Sequence, residues 1–197
     1  LEESGLLGSQ YYAARPVFPL DKTVADIAVD ALPIIGRAHD MTVIGKGQSQ
    51  LEDMLAGVLK TQGRVISPET TPENGFYFRS DHFNFAKAGV PAMLASSGLD
   101  LLDGGKAAGE KAAEDYTAHR YHTTNDVFNP NWDYSGILED TQALYDLGRE
   151  LSRTGVWPQW YPDSPFRDAR KNAQEDDGAG CEGKAGRLDR NRRHDAL

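Results

Sequence analysis

The sequence is poor in cysteine, with only Cys181 among 197 residues. That excludes an internal disulfide framework and a metal knot built on several thiolates. It has no run of 18 apolar residues, which excludes a membrane-spanning helix. Basic residues are in deficit, 21 Lys and Arg against 30 Asp and Glu, giving a net charge of −9 and a pI near 5.0. A nucleic-acid partner would want a basic stripe, so none is expected. An initiating Met is lacking, and no basic segment with an apolar core follows Leu1, so no signal peptide is visible. We expect a fragment or processed product, whose missing leader says little about location. The length suits one domain and is thin for two.

The last 27 residues, 171–197, lack aromatics, Val, Ile and Met. Twelve are charged, six of each sign, and four are Gly. Such a segment buries too little apolar surface to offset its ordering entropy, so we expect a disordered charged tail after a folded unit at 1–170. The short basic run Arg190–His194 reads as part of that solvated tail.

Within 1–170, apolar periodicity places the elements. Ala25–Leu32 and Met41–Ile44 read as strands. Leu51, Met54, Leu55, Val58 and Leu59 follow the i, i+3, i+4, i+7, i+8 stripe of a helix over Ser49–Gln62. Ser49 and Glu52 form a capping box at its start, and Gly63 suits its C-terminal cap. Arg64–Ile66 follows as a strand and Phe76–Phe78 as a short one. Asp81–Ala88 reads as a helix stopped by Gly89, and Val90–Ala95 as a strand. The Gly-rich, polar stretch 98–121 reads as a long loop, and Tyr134–Arg153 as the last helix. Strands alternating with helices predict an α/β three-layer sandwich around a mostly parallel, mixed sheet.

Four polar clusters could carry chemistry: Glu2-Glu3, Asp30 at a strand end, Arg79-Ser80-Asp81-His82, and Tyr121-His122-Thr123-Thr124-Asn125-Asp126. Carboxylates at strand ends with a loop histidine are the ingredients of a zinc site. Each cluster alone also reads as solvated acids, a turn cap or a hydrogen-bonded histidine.

In this order, the chain resembles the C-terminal part of the co-catalytic zinc exopeptidase family that includes bacterial leucyl aminopeptidases and plasma glutamate carboxypeptidase. The resemblance rests on Glu2-Glu3-Ser4-Gly5-Leu6-Leu7-Gly8-Ser9, Asp30, Arg79-Ser80-Asp81-His82 with Phe85, Gly89-Val90-Pro91-Ala92, Tyr121-His122-Thr123 and Trp157-Pro158-Gln159-Trp160. It implies two zinc ions sharing a bridging Asp. Glu2 would be the general base, Glu3 and His122 ligands of one zinc, and Asp30 a ligand of the other. Tyr121 would donate to the oxyanion, or simply anchor its loop. Arg79 would lie near the substrate end, or form a surface ion pair. Asp81 and His82 would be scaffold, with Asp81 capping a helix.

The residues Asp30-Ala31-Leu32-Pro33 depart from the commoner Asp-Met pattern but keep the carboxylate. The family's other His ligand and bridging Asp lie upstream of the Glu-Glu pair, and Leu1 directly precedes that pair. The expectation is therefore a fragment that lacks N-terminal strands, leaves sheet edges open and is inactive alone. The resemblance implies an aminopeptidase acting on peptides with a free N-terminus, secreted or periplasmic. A non-catalytic, receptor-like domain, a zinc carboxypeptidase and a glutaminyl cyclase are the competing readings.

Overall fold

The structure is a computed structural model and describes residues 1–30 and 32–170. The charged tail expected at 171–197 lies outside the described residues. Among the described residues four strands form one sheet: β1 Asp26–Val29, β2 Asp40–Ile44, β3 Val65–Pro68 and β4 Ala92–Ser97. Their spatial order is β1-β4-β2-β3. β1 runs parallel to β4 and β2 parallel to β3, whereas β2 and β4 are antiparallel. The described residues form five α-helices: α1 Leu7–Ala14, α2 Leu51–Thr61, α3 His82–Lys87, α4 Gly105–His119 and α5 Ser135–Thr154.

Side-chain alternation along the strands sorts the two faces. Met41 and Val43 of β2, with Met93 and Ala95 of β4, pack against Leu51, Leu55, Val58 and Leu59 of α2 and Ala143 and Leu147 of α5. On the other face Ala92 packs with Ala86 of α3, Trp160, Phe85 and Phe166. Helices thus cover both faces, and the result is a three-layer α/β sandwich with a mixed sheet. No helix of the described residues is long and apolar enough to cross a membrane.

The stripe read for α2 is the buried one. Leu51, Leu55 and Leu59 are fully enclosed, each burial contributing about 1.5–3 kcal/mol. Its start differs in detail from a capping box. The Glu52 carboxylate accepts the backbone N–H groups of Gly47 (2.8 Å), Gln48 (2.7 Å) and Ser49 (3.4 Å). Ser49 Oγ accepts from Leu51 instead of returning the bond to Glu52. At the other end Gly63 is left-handed, the Gly63 N–H donates to Lys60 O and the Arg64 N–H to Leu59 O, a Schellman closure.

Several elements differ from the sequence expectation. β1 stops at Val29, where its pairing with β4 ends, not at Leu32. Pro33 could not have donated to a continued ladder. Phe76–Phe78 is a 3-10 turn and not a strand, because Gly75 before it is left-handed (φ 67°) and folds the chain back. Helix α1 leaves no periodic signal in the sequence, since its apolar residues form no stripe. Most of the stretch 98–121 is helix α4, not loop. That segment is rich in Ala, Lys and Glu, good helix formers whose signal the interspersed glycines mask. Gly109 is there for contact: a Cβ at this position would come within 2.1 Å of the Leu99 carbonyl oxygen.

Two buried titratable groups oppose each other in pH. Asp26 has an unpartnered, buried Oδ2, and burial pushes its carboxyl up to about 6, with the Asp81 charge adding to the shift. The protonated form is then favoured by folding, so this stability is full below pH 3.8 and lost as pH rises through 6. His82 is fully enclosed with neither ring nitrogen bonded, and burial lowers its pKa to about 4. Its contribution is full above pH 6.5 and lost as pH falls through 4. We expect Asp26→Asn to be more stable than the parent at pH 8 by up to about 3 kcal/mol, the equivalent of the raised pKa. The difference should vanish near pH 4. Urea midpoints at both pH values measure it, and a gap independent of pH would refute a buried Asp26 charge.

Candidate active site

Asp30 follows β1 directly, so the parallel pairing with β4 delivers its carboxylate to the carboxyl end of a strand. In open α/β sheets, ligands bind outside these ends. Glu2 and Glu3 lie in the turn that enters α1, closed by the N–H groups of Gly5 and Leu6 on Glu2 O at 3.1 and 2.9 Å. That turn is pinned to α3. Ser9 Oγ donates to Asp81 Oδ1 (2.5 Å), and Asn84 Nδ2 donates to Ser9 Oγ (2.8 Å) and Leu6 O (3.2 Å).

His122 follows the end of α4. Its φ of 56° is left-handed, an uncommon conformation for a residue with a Cβ. Such strained residues concentrate at functional sites. The turn is held by the Tyr121 N–H on Tyr116 O and the Thr123 N–H on Arg120 O, both at 2.9 Å. The conformation aims the imidazole at the N-terminal segment, where Nε2 meets Glu3 Oε1 at 2.9 Å. The Tyr121 ring stacks on the imidazole, with centroids 3.9 Å apart and an interplanar angle of 19°.

The electrostatics tie the remaining groups to this contact. The Glu2 carboxyl is raised by burial first, then by the charges of Asp30, Glu3 and Asp81, with His122 opposing. The Tyr121 phenol is raised by burial, then by Glu3, Asp30 and Glu2, and Arg79 acts against them. Glu2, Glu3, Asp30, Arg79, Tyr121 and His122 therefore lie within electrostatic reach of one another, on a surface where acids outnumber the one Arg. Arg79 lies exposed with its guanidinium over the Phe76 ring at 5.4 Å.

Asp81 departs from the expected helix cap. It makes no side-chain bond to the start of α3; its carboxylate accepts from Ser9, and its charge reaches Glu2. Nothing in the sequence marks Ser9 and Asn84 as partners, although Ser9 closes the Glu2–Ser9 motif. His82, beside Asp81, is enclosed with its ring edge-on to Tyr77 at 4.6 Å, as a scaffold residue would be.

Carboxylate oxygen and imidazole nitrogen are donors that zinc prefers. Glu3 and His122 present one of each, 72% and 54% exposed, at a separation that two ligands of one ion can share. The donor chemistry fits. Among the described residues, however, no three His, Cys, Asp or Glu side chains converge closely enough to hold a metal ion. The pair would supply two of the three protein ligands that a catalytic zinc takes.

The sequence model of peptidase family M28 matches residues 1–145, well over half of the chain. The chain belongs to peptidase family M28. No curated protein and no solved structure matches it. The matched stretch spans all four described strands, α1–α4 and the six residues Glu2, Glu3, Asp30, Arg79, Tyr121 and His122. M28 peptidases hydrolyse peptide bonds and are typically zinc-dependent, so the M28 chain is assigned to the peptide hydrolases.

Proposed function

We propose that this M28 chain carries part of the catalytic machinery of a zinc-dependent exopeptidase, an aminopeptidase acting on peptides with a free N-terminus. The observation that carries this reading is the 2.9 Å contact between Glu3 and His122 beside a Glu2 carboxyl that burial and neighbouring acids hold high. Glu3 and His122 would hold one zinc ion, and Asp30 would serve a second. Zinc, when bound, would lower the pKa of water toward about 7 and polarise the scissile carbonyl.

The chain's own residues do the rest. Glu2 accepts a proton from the attacking water and returns it to the leaving amine, and its raised affinity for a proton suits that transfer. Tyr121 keeps its hydroxyl protonated among three carboxylates, ready to donate to the oxyanion. Arg79 sets a positive charge against these carboxylates, placed to meet a substrate oxygen. The surplus of carboxylates attracts a substrate's α-ammonium, which supports the aminopeptidase reading over the carboxypeptidase one. We infer a secreted or periplasmic location from the resemblance in sequence.

The test uses the full-length, zinc-loaded protein. Peptides with a free N-terminus should be cleaved and their acetylated counterparts should not. Cleavage that requires a blocked N-terminus would overturn the aminopeptidase reading, and a protein that cleaves neither would favour a binding domain. His122→Ala should lose bound zinc, read as metal per chain after desalting. Retention of full zinc by that variant would remove His122 from the ligand set.

A further inference from the structure

Among the described residues, two that are not glycine have a positive φ: His122 and Leu6. Leu6 sits at φ 60° and ψ 31°, squarely left-handed. A leucine enters that region against its own Cβ, so something must hold it there. Gly5 before it takes a φ of 96° without help, having no Cβ. The conformation matters because Leu6 closes the turn that carries Glu2 and Glu3. Its N–H donates to Glu2 O at 2.9 Å, and the Leu7 N–H donates to Leu1 O at 3.2 Å. We propose that Asn84 is a positioning residue: it holds Leu6 left-handed and so sets the Glu2–Glu3 turn against Asp30 and His122. This deepens the exopeptidase reading and rests on it.

The direction of each hydrogen bond follows from the donor inventory. The Asp81 carboxylate only accepts, so the single Ser9 proton goes to it at 2.5 Å and not to Leu6 O at 3.1 Å. The Ser9 oxygen keeps its lone pairs, and Asn84 Nδ2 donates to one of them at 2.8 Å. The second N–H of that amide reaches Leu6 O at 3.2 Å. Leu6 O also accepts the Gln10 N–H of α1 at 3.0 Å, so one carbonyl joins the turn, the helix and the clamp. Asn84 is 5% exposed and Ser9 7%, so water competes little for these bonds. Asn84 is itself anchored, because its helix neighbour Ala86 is enclosed against Ala92 of β4. The clamp therefore refers the Glu2–Glu3 turn to the same sheet whose β1 leads into Asp30. Without the amide, Leu6 relaxes to an ordinary backbone region, the turn opens and both carboxylates leave the groups they meet.

The test is a double-mutant cycle on the full-length, zinc-loaded protein: parent, Asn84→Ala, Leu6→Gly and both together, with kcat and KM for Leu-Ala-Ala. In the parent background Asn84→Ala should lower kcat about 10- to 100-fold, as a misplacement near 1 Å does, and leave KM within about threefold. In the Leu6→Gly background the same change should cost less than about threefold in kcat, because glycine takes the left-handed turn unaided. Equal losses in both backgrounds would mean that Asn84 serves packing alone and would overturn the proposal, as would an unchanged kcat. Leu6→Val tests it without touching α3, at a half-buried position. A β-branched side chain resists the left-handed region, so kcat should fall there as well, and a full rate would count against the clamp. Amide exchange of the metal-free protein reads the turn without turnover. The Leu6 N–H should exchange about 10-fold faster or more in Asn84→Ala and Leu6→Val than in the parent. Unchanged protection in both would overturn the clamp. A parent that cleaves no peptide would overturn the exopeptidase reading instead, and the exchange rates would still decide whether Asn84 holds the turn.

Discussion

Glu2→Gln should lower kcat about 10²- to 10⁴-fold, the share that a positioned general base contributes, while the zinc content stays at the parent's level. Glutamine keeps the size and shape of the side chain but cannot accept the proton. In this structure Glu2 sits among Asp30, Glu3 and Asp81, whose charges all hold its carboxyl up. Glu2 is not one of the proposed ligands, so Glu3 and His122 keep their donor atoms in the variant. His122→Ala should do the reverse and lose metal. Measured on one preparation, kcat and zinc per chain separate the two roles. Equal zinc loss in both variants would show that base and ligand have been divided wrongly. Glu2→Asp is a useful companion, because it keeps the base but draws it back by one methylene, and an intermediate rate is expected.

Arg64→Met should destabilise the fold by about 3–5 kcal/mol, the cost of leaving one partner of a buried ion pair alone. Arg64 Nη2 pairs with Asp140 Oδ1 at 2.5 Å, their side chains 4% and 1% exposed. The same nitrogen donates to Asp40 O at 2.7 Å, and Ser97 Oγ donates to Asp140 Oδ2 at 2.7 Å. The pair thus ties the start of β3 to β2, β4 and α5. A domain's whole stability is about 5–15 kcal/mol, so the single variant should be largely unfolded in mild urea. Arg64→Met combined with Asp140→Leu removes both charges and should be less destabilised than the two single changes summed. Urea midpoints of the four proteins close the cycle. Additive losses would mean that the two side chains do not stabilise each other.

Neither residue of that pair stands out in the sequence. Arg64 reads as the polar start of a strand and Asp140 as one acid on an amphipathic helix, 76 residues away. Helix α2, in contrast, is legible because its core stripe, its acidic start and its terminal glycine all lie within fifteen residues. Helix α4 is not. It has no apolar face to announce it, only helix-forming residues, and the glycine that argues against a helix is required by Leu99 crossing it. Strand positions follow from apolar runs, but strand direction does not. β4 pairs parallel on one side and antiparallel on the other, which alternation along a single strand cannot encode.

The sequence by itself determined the chemistry on offer: adjacent carboxylates in Glu2 and Glu3, an acid after a strand in Asp30, and a Tyr121-His122 dipeptide, in an order that resembles a zinc exopeptidase. It determined the α/β class as well, because local periodicity is a property of neighbouring residues. Only the tertiary structure decided that Glu3 and His122, 119 residues apart, come within 2.9 Å. That meeting depends on the left-handed backbone at His122, on the pinning of α1 to α3 through Ser9, Asp81 and Asn84, and on α4 in place of a loop. A small pocket beside Tyr116 has the same origin. Its walls come from the segment after Asp30 and from residues on both sides of Tyr121, and their facing one another is set by long-range packing, which spacing along the chain does not contain.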